Sequence, residues 1–416
     1  MFRRFFIVLV FSVFATQVSA GTVKTGIEVL EKRNFDCLQG KAVGLLTNPS
    51  GVDSRLRSTI DILFNAPGVQ LKALFAPEHG VRGDAYAGAY VESSKDPATG
   101  LPVYSLYGPN RSPRPEMLDG LDAVVYDIQD IGSRSYTFIS SLGLMMRACA
   151  EKGIEVVVLD RPNPLGGNKI EGPYVRGGFF SFVSQYKIPY IYGLTVGELA
   201  VLLNEEGLNR GQRGDEKPMK CALTVVPMEG WKRSMLYPET GLPWVLPSPN
   251  IPYPETAVGY PVAGIAGEFN NYLNIGIGYS FPFGAFAEQW IDAEALKAKL
   301  ESYDIPGTVF RTVHYKPFFG RLAGRLIHGV QYHFTDYEAA PVSMISFYVM
   351  QAVSELYGKN PFKISPERIA MFNKVCGTDR ITEVFGKSMK VADIQEYWTS
   401  DVEDFRKLSE KYHLYD

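Results

Sequence analysis

Short unbroken apolar runs alternate with helix-period segments through the first half of the chain. Lys41–Leu46, Val69–Phe75, Leu121–Tyr126 and Ile154–Leu159 each read as a strand buried on both faces. Between the first two, Leu56, Ile60, Ile62 and Leu63 recur at helical spacing. Phe138–Lys152 reads as a helix with Leu142, Met145, Met146 and Cys149 on its apolar side. Apolar strands separated by helices predict a parallel sheet covered on both faces, the α/β class. Each of the four strands runs into a polar segment: Thr47-Asn48-Pro49-Ser50-Gly51, Ala76-Pro77-Glu78-His79-Gly80, Asp127-Ile128-Gln129-Asp130 and Asp160-Arg161-Pro162-Asn163-Pro164. Ligands of open α/β sheets bind outside the carboxyl ends of the strands, so these segments gather on one functional edge. Turn chemistry accounts for Pro49, Gly51 and Gly80. It does not account for Glu78, His79, Arg82, Asp127, Gln129, Asp130 and Arg161, which are the first candidates for a site.

The remaining pattern places other elements around that edge. The aperiodic stretch from Gly80 to Leu121 is long enough to be a binding loop or lid. Lys169–Tyr174 reads as a short hairpin near the same edge. Thr195 and Glu198 form a capping-box pair that opens a helix reaching about Glu206, and Ala222–Pro227 reads as a further strand. The proline-rich stretch from Tyr237 to Pro261 reads as a rigid connection lining the site, since proline is excluded from central strands and helix interiors. It sets a domain boundary near residue 245. Beyond it, Glu294–Ser302, Val342–Tyr357 and Ser365–Phe372 read as helices and Gly329–Phe334 as a strand.

The first twenty residues have a different pattern. Arg3 and Arg4 precede the apolar run Phe5–Phe11, and Val18 and Ala20 supply modest side chains ahead of Gly21. This is the arrangement of a secretory signal peptide, and the run is shorter than the ~20 residues of a spanning helix. The expected organisation is a signal peptide over 1–20, an α/β domain over 21–245 and a second domain over 246–416, in an exported protein, periplasmic or secreted, with no membrane span after cleavage.

Composition narrows the function. The 416 residues carry 42 Lys and Arg against 45 Asp and Glu, a formal net charge of −3. Nucleic-acid binding needs a concentrated positive field that this chain lacks. Cys37, Cys149, Cys221 and Cys376 are too few and too far apart for a disulfide framework or a Cys-x-x-Cys pair. Gly386-Lys387-Ser388 has Ile381 where a phosphate loop needs glycine, Gly276-Ile277-Gly278 has Phe281 where a dinucleotide fingerprint needs glycine, and no Gly-x-Ser-x-Gly occurs. The five histidines are not spaced as a zinc site. No cofactor is expected. The surviving chemistry is carboxylate acid/base work, with Glu78 its leading candidate.

Gly44–Gly51, Ala76–Gly83, Asp127–Arg134, Asp160–Pro164, Glu171-Gly172-Pro173, Gly193–Glu198, Leu246–Asn250 and Cys376–Asp379, in this order, resemble the exo-β-N-acetylmuramidases of the NamZ type. The resemblance implies a Rossmann-like N-terminal domain, a smaller α/β C-terminal domain and a site in the cleft between them. It further implies release of non-reducing terminal N-acetylmuramic acid from peptidoglycan fragments, so the expected partner is a muramyl saccharide. The family's glutamate in Pro-Glu-His-Gly falls on Glu78, and Glu171 or Asp127 stands as the second catalytic carboxylate. Asn48, His79, Arg82, Gln129, Asp130, Arg134, Tyr136, Arg161, Asn163 and Asn250 are the expected substrate-binding residues.

Arg82, Arg134 and Arg161 are the strand-end cations available to a lactyl carboxylate, and Tyr86, Tyr136 and Trp244 the aromatics available to a sugar face. Arg134 and Arg161 are equally placed for structural ion pairs with Asp127, Asp130 or Asp160. One departure stands out: members with Ser-Glu-Gly-Arg-Gly-Thr are met here by Asn274-Ile275-Gly276-Ile277-Gly278-Tyr279, which bears on substrate choice if that loop touches the sugar. An exported glycan-binding protein without activity, and an exo-hydrolase for another amino sugar, remain the competing readings.

Overall fold

The buried runs of the first half pair as the pattern predicts. In a computed structural model that describes residues 22–78, 80–82, 94–108, 111–209 and 218–416, a seven-stranded sheet has the order β3-β4-β2-β1-β5-β6-β7. Its strands are β1 (Ala42–Thr47), β2 (Gln70–Ala76), β3 (Ser94–Lys95), β4 (Pro102–Ser105), β5 (Ala123–Asp127), β6 (Glu155–Leu159) and β7 (Leu223–Val226). All pairings are parallel except that of β3 with β4. The segment expected to be a signal peptide lies outside the described residues.

Strand pleating sends alternate side chains to opposite faces. Val43, Leu45, Val125, Val157 and Leu159 face Ile27 and Leu30 of α1 (Gly26–Lys32) and Ile60 and Leu63 of α2 (Thr59–Phe64). Leu46, Phe75, Val124, Tyr126, Val156 and Val158 face the other way, toward α3 (Phe138–Lys152) and α4 (Val196–Glu206). α4 opens with the predicted capping box: Glu198 N donates to Thr195 Oγ1 at 3.2 Å and Thr195 N to Glu198 Oε2 at 3.0 Å.

Three segments differ from the structure that their sequence pattern predicts. The stretch 80–121 is not all loop, for it contains β3, β4 and a 3-10 turn at Pro115–Leu118. Lys169–Tyr174 forms no hairpin; Glu171 instead makes a single antiparallel bridge to Ile191. The proline-rich stretch ends in a helix, α5 (Pro254–Gly267), with Pro261 inside it. Pro254 sits in the first turn, where its missing N–H has no intrahelical partner to lose. Pro261 forfeits one helical hydrogen bond, but α5 is buried, with Val262, Ile265 and Ala266 shut from solvent. Packing overrides the local penalty.

The second half adds an antiparallel sheet of order β8-β10-β9, built from β8 (Ala285–Glu288), β9 (Thr308–Tyr315) and β10 (Ile327–Phe334). α6 (Ala293–Glu301) and α7 (Ile345–Tyr357) cover it, with Val342–Met344 a 3-10 turn leading into α7. The apolar cluster on the α3/α4 face continues through Tyr190, Phe269, Phe347 and Trp398. The two halves therefore share one core, and the strand-end edge lies where they meet. No described helix is long and apolar enough to cross a membrane.

Candidate active site

β2, β1 and β5 are neighbours, so the segments that follow them emerge side by side. The chain leaves β1 for β2 on one side and later places β5 on the other, which opens a crevice at the carboxyl ends of the strands. A cleft of about 180 Å³ lies at this edge. Glu78 enters it from the turn after β2, Ser135, Tyr136 and Thr137 from the approach to α3, and Ser248 and Asn250 from the proline-rich run. Tyr260 of α5 and Phe283 close it from the second half. The aromatic rings form a continuous wall. Tyr136 meets Phe138 edge-on at 4.9 Å and Tyr260 at 5.5 Å, and Tyr260 meets Phe283 at 5.1 Å.

Glu78 is hydrogen-bonded to Tyr107, two residues beyond β4. Burial and the negative charge of Glu78 raise the Tyr107 phenol above its ordinary pKa, while the positive charge of Arg111 opposes the rise. The Arg111 guanidinium lies 4.4 Å from the centre of the Phe182 ring. A carboxyl group that lines an aromatic-walled cleft is thus paired with a phenol, and a cation lies close enough to act on that phenol.

The other predicted residues divide into those at the cleft and those that build it. Tyr136 and Asn250 line it. Asn48 donates to Pro247 O at 3.0 Å and accepts from Ser50 N at 2.9 Å, so it ties the proline-rich run to the sheet edge. Gln129 Nε2 donates to Asp130 O and Pro162 O at 2.8 and 2.7 Å. Asn163 bridges Leu194 O and Leu165 N, both at 2.9 Å. These three amides brace loops. His79 and Tyr86 lie outside the described residues. Trp244 packs edge-on against Tyr237 at 4.6 Å and donates to Ile251 O at 3.1 Å.

The strand-end arginines are engaged internally. Arg161 Nε and Nη2 grip Asp127 at 2.5 and 3.0 Å, and both side chains are almost wholly buried. Arg82 is bidentate to Asp96 at 3.0 and 3.1 Å. Arg134 has no solvent exposure and pairs with carbonyls rather than the expected aspartate, donating to Pro173 O, Ile188 O and Val375 O at 2.8, 2.6 and 3.0 Å. Burial without a carboxylate lowers its pKa to about 10.

Neither expected second carboxylate lines the Glu78 cleft. Asp127 is held by Arg161 and also accepts from Thr59 Oγ1. Glu171 accepts from Val342 N, Ser343 N and Ser343 Oγ, ahead of α7. Asp130 differs from both. Its Oδ2 accepts from Gly132 N at 2.8 Å and from the Tyr192 hydroxyl, and burial raises its pKa to about 6 against those hydrogen bonds.

Tyr107, Ser135, Ser248, Tyr260 and Phe283 were not singled out from the sequence. Tyr107 follows a strand of only four residues that opens with proline. Tyr260 sits on a helix whose prolines argued against it. Ser248 alone stood in a quoted motif. The Ile275/Ile277 departure lies away from the cleft: Ile275 is buried against Gly267 at the end of α5, and Ile277 packs on the same core. Among the described residues, no three His, Cys, Asp or Glu side chains are placed to hold a metal ion.

Residues 43–255 match the N-terminal family model, and residues 258–415 the C-terminal one, of exo-β-N-acetylmuramidase NamZ. The chain is 40% identical over 393 residues to the peptidoglycan β-N-acetylmuramidase NamZ of Bacillus subtilis (strain 168), covering 94% of this chain and 91% of that protein. Two crystal structures of DUF1343 family proteins from Bacteroides fragilis NCTC 9343 share the fold. One superposes with a TM-score of 0.89 at 51% identity, the other with 0.75 at 26%, and each alignment covers 95% of this chain and 99% of the other.

Proposed function

This chain belongs to the exo-β-N-acetylmuramidase NamZ family, and from that premise we infer that Glu78 is the catalytic carboxylate of its reaction. The protein is a glycoside hydrolase, an exo-acting β-N-acetylmuramidase whose substrates are peptidoglycan fragments. Glycosidases of this kind place a carboxylic acid beside the scissile bond to protonate the leaving oxygen. The observation that supports Glu78 in this role is its position: of the three carboxylates proposed for catalysis, it is the one that lines the cleft.

The other cleft residues fit a hexosamine. Tyr136, Tyr260 and Phe283 offer an apolar wall for a sugar face, and Ser135, Ser248 and Asn250 offer short polar side chains at its rim. The signal pattern over residues 1–20 supports an exported protein that meets peptidoglycan outside the cytoplasm. We place the domain division near residue 245, within the proline-rich run that contributes to the cleft.

Incubation with a chromogenic N-acetylmuramide, and with a disaccharide ending in N-acetylmuramic acid, tests the reading. Release of N-acetylmuramic acid from both is expected. Binding without turnover of any muramyl or glucosaminyl substrate contradicts it.

A further inference from the structure

The formal net charge of −3 is not spread evenly along the chain. Residues 305–335, which hold β9, β10 and the loop between them, carry Arg311, Lys316, Arg321 and Arg325 and no Asp or Glu. Residues 269–287, which supply the segment packed against that loop, carry no charged side chain. An acidic protein thus presents one basic hairpin. The two most exposed large apolar side chains among the described residues sit at its tip, Phe318 at 77% and Phe319 at 58%. Single apolar residues at a surface need no explanation, but two adjacent rings at one tip do.

The exposure is built into the loop. Phe318 N donates to Gly278 O at 2.7 Å, Gly324 N to Pro317 O at 2.8 Å and Arg325 N to Leu322 O at 3.0 Å. Gly278, at φ +91°, lets the loop approach so closely that a Cβ there would lie 2.6 Å from Phe319 O. Leu322 is buried with Tyr315 and Ile327, and Tyr279 stacks on one face of the Phe318 ring at 5.2 Å. The hairpin therefore has an inward seat for an apolar side chain, which Leu322 fills, while both phenylalanines are turned out.

The cations around the tip differ in what they meet. Arg321 is paired with the buried carboxylate of Glu288. Arg325 donates to the neutral amide oxygen of Gln289 at 3.3 Å, which leaves its charge uncompensated. Lys316 is exposed at the other end of the loop. We propose that the β9–β10 loop docks the protein on an anionic phospholipid surface. Phe318 and Phe319 enter the boundary between headgroups and acyl chains, and Lys316 and Arg325 meet the headgroup phosphates.

Two features favour lipid over other occupants. Pro317-Phe318-Phe319-Gly320 has no side-chain donor or acceptor, whereas a saccharide site needs polar groups to orient its ligand. The two rings also stand between cations in an acid-free stretch, which matches a layer of apolar chains beneath a layer of anionic headgroups. Two rings and two free cations give a reversible hold, far short of that of a spanning helix. The loop supplies no residue to the Glu78 cleft, so docking and hydrolysis are separate properties.

Sedimentation with vesicles of phosphatidylcholine, alone or with about one-third phosphatidylglycerol, tests the docking. The proteins are the wild type, Phe318→Ser/Phe319→Ser and Lys316→Gln/Arg325→Gln, with the melting temperature as the check on folding. The wild type is expected to bind the mixed vesicles, and to bind phosphatidylcholine alone at least about 10-fold more weakly. Each double variant should lose roughly 10- to 30-fold in affinity for the mixed vesicles while staying folded. Raising the salt to about 0.5 M should release the wild type. Failure of the folded wild type to bind the mixed vesicles overturns the proposal, as does equal binding by the folded variants. Two further results overturn it in favour of another occupant. One is a wild-type dimer in analytical ultracentrifugation that Phe318→Ser/Phe319→Ser dissociates. The other is binding to purified peptidoglycan sacculi, without binding to vesicles, that the same variant loses.

Discussion

Replacing Glu171 by glutamine separates a carboxylate that builds the protein from one that works in it. Its Oε1 accepts from Val342 N at 3.0 Å, and its Oε2 accepts from Ser343 N at 2.7 Å and Ser343 Oγ at 2.6 Å. These groups open the turn that leads into α7, so the carboxylate acts as a helix cap from a distant loop. The same Ser343 hydroxyl accepts from Trp398 Nε1 at 2.8 Å, which links the cap to a fully buried indole. Burial raises the Glu171 pKa, and the bonds from Ser343 pull against that rise.

Hydrogen bonds to a charged acceptor contribute about 1.5–3 kcal/mol each. Glutamine keeps one acceptor oxygen and turns an NH2 toward a donor, so one or two of the three bonds are lost. Removing a buried charge offsets part of that loss. The expected net cost is about 2–3 kcal/mol, read as a lower urea midpoint. Because Glu171 lies outside the Glu78 cleft, kcat/KM of the folded variant should stay within about twofold of the wild type. A fall of more than about 100-fold in a protein that remains folded, with an unmoved midpoint, would refute the structural role and restore Glu171 as a catalytic candidate.

Asp160 accepts from Tyr415, Thr195, Gly197 and Arg161 in a fully buried setting, and burial raises its pKa to about 6. The folded state then binds more protons than the unfolded one between about pH 4 and 6, so stability falls as pH rises through that window, by about 3 kcal/mol; Asp160→Asn should flatten that limb in urea midpoints taken from pH 4 to 7, and an unaltered slope contradicts the linkage. Arg134→Met strands three carbonyls in the core and should cost at least about 3 kcal/mol; unfolding by urea measures it, and a cost under about 1 kcal/mol would show that the buried guanidinium is dispensable. With the strand-end arginines engaged internally, Arg111 beside Tyr107 is the cation expected to meet a lactyl carboxylate. Arg111→Gln should raise KM for an N-acetylmuramide about 10-fold while sparing any activity on the N-acetylglucosaminide, and equal effects on both substrates argue against it.

What the sequence revealed depended on whether a signal was local. The four buried strands were legible because each is a short apolar run flanked by turn residues, and α4 because Thr195 and Glu198 carry its cap within three positions. α5 was hidden because Pro261 breaks the local rule and only tertiary burial restores the helix. β8 and β9 went unread; in β9 the buried positions switch face between Phe310 and Val313, so no single period-two pattern runs the length of the strand. At the site, Glu78, Tyr136 and Asn250 stood on strand-end or motif positions and reach the cleft. Asn48, Gln129, Arg82, Arg134, Asp127, Arg161 and Asn163 stood on equivalent positions, yet their side chains are spent on backbone groups and oppositely charged partners within the fold. Residue type and spacing cannot separate those two uses, because the deciding partners lie far away in sequence: Pro247 for Asn48, Val375 for Arg134. Tyr260 and Phe283 enter the cleft from the second half and carry no local mark of it.

The proposed hydrolysis turns on Glu78, and its most direct test is the release of N-acetylmuramic acid by the wild type and by Glu78→Gln from a disaccharide ending in that sugar, followed by chromatography of the products. Steady release by the wild type, loss of at least about 1,000-fold in the variant and retained binding of N-acetylmuramic acid by the variant are the expected results. Release by Glu78→Gln at a rate close to the wild type would contradict it.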